Sequence, residues 1–138
     1  MSEAIPTKLL GIAPYFFVSD IQRSAAYYRD VLGFKISMIW GEPPGFCMPE
    51  RDRMVIMLCQ ADAPQKVQPN GRDGEAWDAY IWVTDADALF DEFKSRNAII
   101  HYEPVDRPFY GNREFSIKDP DGYVIAFAHS IESKSATR

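Results

Sequence analysis

The chain has 138 residues, 46% hydrophobic and 14% aromatic, enough apolar material for one packed domain and inconsistent with disorder. A formal charge of −5 without any basic stripe excludes a nucleic-acid partner, since nothing is placed to neutralise phosphates. No apolar run can span a bilayer, no secretory pattern opens the chain, and two cysteines are too few for a disulfide scaffold; a cytoplasmic protein with Cys47 and Cys59 reduced is expected.

Residues 9–18 read as a strand, with Pro14 marking an edge or a bulge. Asp20 is placed to cap a helix over residues 20–32, whose apolar face carries Ile21, Ala25, Tyr28 and Leu32. Gly33 stops that helix, because glycine takes the left-handed conformation without steric cost. A second strand follows over 34–40, then a loop over 41–45. Residues 46–48 and 53–60 read as a hairpin turned at 49–52. Residues 61–75, rich in Pro, Gly, Gln and Asp, are a linker.

The order then repeats. A strand over 78–83 leads into a helix over 85–96, capped by Asp85, carrying Leu89, Phe90 and Phe93, and stopped by Asn97. A strand over 99–102, a loop over 104–111 and a hairpin of 113–118 with 123–129 complete the unit. Its turn, Asp119-Pro120-Asp121-Gly122, has proline to preset one backbone angle and glycine to supply a positive φ. Val18-Ser19-Asp20 and Val83-Thr84-Asp85 stand 85 − 20 = 65 residues apart, and 54–59 resembles 123–128. The expected fold is α+β: two tandem βαβββ modules (about 9–60 and 76–130) within one domain, curving around a shared cleft. A polar tail occupies 131–138.

Two stretches carry a family likeness. The first runs from Val18-Ser19-Asp20-Ile21-Gln22-Arg23-Ser24 into Tyr27-Tyr28-Arg29-Asp30-Val31-Leu32-Gly33-Phe34, and the second is Arg113-Glu114-Phe115-Ser116-Ile117-Lys118-Asp119-Pro120-Asp121-Gly122-Tyr123. Over about residues 9–130 the chain resembles the vicinal oxygen chelate superfamily of glyoxalases, extradiol dioxygenases, fosfomycin-resistance enzymes and bleomycin-binding proteins. The resemblance implies a glyoxalase-like fold. In family enzymes it also implies a divalent metal held from the first and last strands of each module. Carried onto this sequence, those positions are Ala13, Met57, Asp78 and Ala126. The repeat gives the same mapping, since 78 − 13 = 65 and Met57 falls on Ala126. Alanine offers no lone pair, and a thioether is a poor ligand for a hard cation. No metal and no other cofactor is therefore expected. The likeness then points to metal-free members that bind drugs and confer antibiotic resistance.

By strand alternation, Tyr15 and Phe17 share the cleft face with Ala13, Tyr80 and Trp82 share it with Asp78, and Val55 and Cys59 flank Met57. Phe17 and Trp82 are expected to fill space between the modules or at a dimer contact. Tyr15 and Tyr80 are open to either a packing or a ligand role. Asp78 is either a solvated carboxylate at a strand start or a charge for a ligand amine, and is the sole candidate for a catalytic base. Trp40, Phe46, Phe109 and Tyr110 lie on loops, where they pack locally or await a ligand. Arg113 reads foremost as a surface ion pair and secondly as an anion clamp. His101 and His129 fall on no metal position. The expected function is binding of a small aromatic molecule, neutral or cationic, through Tyr15, Trp40, Phe46, Met57, Asp78, Tyr80, Phe109, Tyr110 and Arg113, in a homodimer. The alternatives are a glyoxalase-like lyase, isomerase or dioxygenase with an altered or absent metal site, and a structural dimer whose cleft is filled.

Overall fold

The computed structural model describes residues 4–73 and 76–131. The polar tail thus lies, apart from Ile131, outside the described residues, as does the end of the linker. Strand β1 (Tyr15–Val18) buries Phe16 and Val18 and turns Tyr15 and Phe17 to the other face. Asp20 then caps α1 (Ile21–Ala26) by accepting from the Arg23 amide at 3.1 Å. The helix continues as one wider π-helical turn over Tyr27–Val31, closed by Leu32 N–H donating to the Tyr27 carbonyl at 3.1 Å. Within that turn the consecutive Tyr27 and Tyr28 both reach the second module, bonding the Lys118 carbonyl at 2.8 Å and the Asp119 carboxylate at 3.0 Å. Gly33 stops the run with φ +75°, and a Cβ there would lie 2.8 Å from the Arg51 guanidinium.

The remaining first-module strands are short: β2 (Ile39–Trp40), β3 (Phe46–Cys47), β4 (Glu50–Arg51), β5 (Met54–Val55) and β6 (Met57–Gln60). They form a sheet in the order β1-β6-β3-β2, with β4 and β5 as a separate hairpin. The second module runs β7 (Ala79–Trp82), α2 (Ala86–Ser95), β8 (Ile99–Arg107), β9 (Asn112–Lys118) and β10 (Val124–Ser130), in the sheet order β7-β10-β9-β8. Asp85 caps α2 through the Ala88 amide at 3.0 Å, and Asn97 ends its turn at φ +65°. The repeat holds in register. Tyr15 lies beside Met57 across the parallel β1/β6 pair, and Tyr80, at 80 − 15 = 65 residues on, lies beside Ala126 across β7/β10.

Four strand expectations are corrected. Residues 9–14 are not strand, because the sheet gives them no neighbour beyond one bond from Met57 N–H to the Pro14 carbonyl. The strand expected over 34–40 survives as an isolated Lys35–Glu50 bridge and β2. The single hairpin expected over 46–60 is divided, since β3 pairs with β6 while β4 and β5 pair with each other. Conversely, β8 runs past Pro104 to Arg107. It is an edge strand with register shifts on either side of Tyr102, where a residue without an N–H is tolerated.

One apolar cluster joins the two modules, drawing on Phe16, Tyr28, Leu58, Phe93, Phe115 and Phe127 among others. Phe16 stacks on Tyr123 at 4.3 Å, and the Tyr123 hydroxyl donates to the Phe17 carbonyl at 2.7 Å. Arg51 bonds Glu92 of α2 at 2.8 Å. Cys47 and Cys59 are free thiols on adjacent strands, Cys47 beside Leu58 and Cys59 beside Phe46. No helix among the described residues is long and apolar enough to cross a membrane.

Candidate functional site

With their apolar residues turned into the shared core, the two sheets present their alternate residues on the opposite face. On the first sheet these form an aromatic group. Tyr15 meets Phe17 edge-on at 5.4 Å, Phe46 lies 6.2 Å from Tyr15, and Trp40 lies 5.7 Å from Phe46. Met57, half-buried, is the strand neighbour of Tyr15. Four of the expected site residues, Tyr15, Trp40, Phe46 and Met57, are therefore brought together here.

On the second sheet Tyr80 sits between Trp77 at 4.6 Å and Trp82 at 4.9 Å. Trp82 does not fill the space between modules in this chain; it is 67% exposed. Behind this wall lies Glu114, whose carboxylate is wholly buried. The hydroxyls of Tyr80 and Tyr110 each donate to it at 2.7 Å, and that of Tyr102 donates as well. Two of these phenols also accept: Tyr80 from Asn112 Nδ2 at 2.9 Å and Tyr102 from Trp77 Nε1 at 3.0 Å. Burial alone would raise the Glu114 carboxyl, but the three phenol bonds outweigh it and hold it below the usual carboxylate range. The same arrangement pushes the Tyr102 phenol up to about 12, through burial first and the bond to Glu114 second. Glu114 is thus a buried anion held by hydrogen bonds rather than by water, and a weak base.

Glu114, Tyr102, Trp77 and Asn112 were not legible as a unit in the sequence. Glu114 shows there only the alternation of a strand residue, and its partners come from positions 80, 102 and 110.

Of the other expected residues, Phe109 and Arg113 stand apart, while Asp78 shares a groove of about 520 Å³ with Tyr15 and Phe17. Asp78 accepts from the Asn70 amide through Oδ1 and from the Val124 amide through Oδ2, both at 2.8 Å. It ties the linker, at Asn70, to β10. Phe109 is 96% exposed at the tip of the β8–β9 loop, its ring 6.3 Å from that of Tyr110. Arg113 is paired with Asp87 and Asp106, each at 3.0 Å, and points away from Glu114 on the opposite face of β9. His129 Nδ1 accepts from the Ala86 amide at 2.9 Å, at the start of α2. His101 rests against Tyr102.

The metal that the family implies does not fit these residues. The neighbours facing one another across β1/β6 and β7/β10 are Tyr15 with Met57 and Tyr80 with Ala126. Ala13 and Ala126 have no donor, the Tyr80 hydroxyl is spent on Glu114, and both Asp78 oxygens are taken by backbone amides. Among the described residues no three His, Cys, Asp or Glu side chains converge as a metal requires.

A groove of about 600 Å³ opens elsewhere, between the β4–β5 hairpin and α2, with Met54, Leu89 and Trp82 on its walls. Trp77, Tyr80 and Tyr102 lie outside it.

Comparison with known proteins places this geometry. A profile of the Glyoxalase/Bleomycin resistance protein/Dioxygenase superfamily matches residues 10–127. A Bacillus subtilis protein, the uncharacterized YraH, is 25% identical over 123 residues, covering 86% of this chain and 94% of its own length. The bleomycin-binding protein of Streptomyces verticillus, solved with copper(II)-bleomycin, superposes with a TM-score of 0.67 at 23% identity, over 88% of this chain and 97% of that one. TnmS3, an antibiotic binding protein from Streptomyces sp. CB03234, gives a TM-score of 0.67 at 18% identity, over 91% and 99% of the two chains. These structural likenesses establish a common fold. Together with the profile, which spans most of the sequence, they identify the chain as a member of the Glyoxalase/Bleomycin resistance protein/Dioxygenase superfamily.

Proposed function

We propose that this chain is a metal-free binding protein that sequesters a small aromatic molecule in the cytoplasm as a homodimer. One observation carries the reading: the aromatic side chains on the cleft faces of both sheets pack against each other and stay exposed. Trp82, Tyr15, Trp40 and Trp77 are between 40% and 67% accessible. Ordered aromatic area left bare on a sheet face is costly unless something flat covers it. The drug-binding roles in the names of two structural neighbours support the same reading. An enzymatic role is less well served. Glu114 is a weak base under three phenols, and Asp78 is occupied by the backbone. Equilibrium titration of tryptophan fluorescence with bleomycin and with simple fused-ring dyes tests the proposal. Saturable quenching is expected, and Trp82→Ala should weaken it about five-fold, the loss of one stacking contact of about 1 kcal/mol. Wild-type protein that responds to none of these compounds would sink it.

The dimer has its own support. Ile5, Leu9, Leu10 and Ile12 are 88–98% exposed on the segment that the first sheet leaves unpaired. Four aliphatic side chains in water on one short arm call for a cover, and a second copy of the chain is the commonest one. Deleting residues 1–12 should turn a dimer into a monomer in sedimentation. A full-length chain that sediments as a monomer at every concentration would contradict the proposal.

A further inference from the structure

The Glu114 cluster holds a clue to the chemistry of the ligand. Because Tyr80, Tyr102 and Tyr110 all spend their protons on Glu114, their oxygens keep only acceptor capacity, one share of it already taken on Tyr80 by Asn112 and on Tyr102 by Trp77. The array therefore suits a group that donates. One such group from the chain itself is already present. Arg107, at the end of β8, is about 41% exposed and places Nε 3.4 Å from Glu114 Oε2. Its guanidinium carbon lies 5.4 Å from the centre of the Tyr102 ring. Arg107 also tempers the rise of these phenols, through its charge first at Tyr110 and through its hydrogen bonding at Tyr102. The bond to Glu114 is at the long limit for a hydrogen bond, and a long exposed side chain gives up such a contact easily.

We propose that Arg107 is an internal stand-in for the cationic group of the ligand. The site then selects a flat aromatic compound bearing a protonated amine or guanidine. The rings stack on Trp77, Tyr80 and Trp82, and the cation displaces Arg107 from Glu114 and the phenol oxygens. This inference rests on the binding function proposed above and deepens it from an aromatic ligand to an aromatic cation with N–H donors.

Three probes of similar ring size separate the possibilities by equilibrium dialysis: proflavine as cation, anthracene methanol as neutral compound and anthracene carboxylate as anion. Wild-type protein should prefer proflavine. Arg107→Ala should raise its affinity several-fold by removing the competitor, and Glu114→Gln should lower it about ten-fold. Affinity for anthracene methanol should stay within about two-fold in both variants, which also shows that the variants remain folded. Arg107→Met, at the same exposed position, separates loss of charge from loss of packing and should behave as Arg107→Ala. If Arg107→Ala weakens proflavine, or if wild type prefers anthracene carboxylate, Arg107 is a ligand contact and the inference fails while binding stands. Equal affinity for the cation and the neutral compound in all variants defeats it in the same way. Failure of all three probes to bind wild type overturns this inference and the proposed function together.

Discussion

Phe115→Ala should destabilise the protein by about 4 kcal/mol, the cost of removing a buried aromatic ring and leaving most of its cavity behind. The ring is wholly buried on the inner face of β9. It lies 5.5 Å from Phe90, 5.9 Å from Phe93 and 5.3 Å from Phe127, and so joins α2 to two strands of the second sheet. Urea unfolding monitored by circular dichroism measures the loss from the midpoint at unchanged slope. Phe115→Leu, which keeps most of the volume, should cost roughly 1.5 kcal/mol or less. The two values must differ if packing, rather than strand propensity, holds this residue. Equal losses would contradict that account. The adjacent Glu114 points to the opposite face, so loosening β9 also loosens the array of phenols above it.

Asp119→Ala should cost about 3 kcal/mol. Its carboxylate is almost entirely buried and accepts from the Tyr28 hydroxyl at 3.0 Å and from the Asp121 and Tyr123 amides at 2.9 Å each. Three bonds at about 1 kcal/mol each are lost, and two of their donors, the Tyr28 hydroxyl and the Tyr123 amide, are left buried. The same residue gives stability a pH dependence. Burial, the largest influence, lifts the Asp119 carboxyl from 3.8 to about 6 despite those hydrogen bonds. Between those two values the native state holds a proton that the unfolded chain has released. The contribution is therefore complete below pH 4 and is lost as pH rises through about 6. Shifting from pH 7 to pH 5 should add about 1 kcal/mol of stability. Asp119→Asn should flatten that slope. The carboxylates of Asp30, Asp62, Glu92 and Glu114, all held low by hydrogen bonds, work in the opposite sense and act only at more acidic pH. A wild-type protein equally stable at pH 5 and pH 7 would show that the Asp119 carboxyl is not raised.

The sequence by itself determined the doubled architecture. Asp20 and Asp85 as caps, Gly33 and Asn97 as stops, and Gly122 in its turn act within a few residues of themselves, so their physics is local and readable. Alternation likewise separated Tyr15 and Tyr80 from the core residues beside them. What only the tertiary structure decided lies where a side chain's fate depends on distant partners. Asp78 and Glu114 are both carboxylates on the second sheet, and nothing local ranks them. One is absorbed by the amides of Asn70 and Val124, the other surrounded by phenols from three separate segments. The arm over residues 9–14 has the composition of a strand but no neighbour to pair with. Strand pairing is settled by what lies alongside, and sequence pattern carries no record of an empty edge.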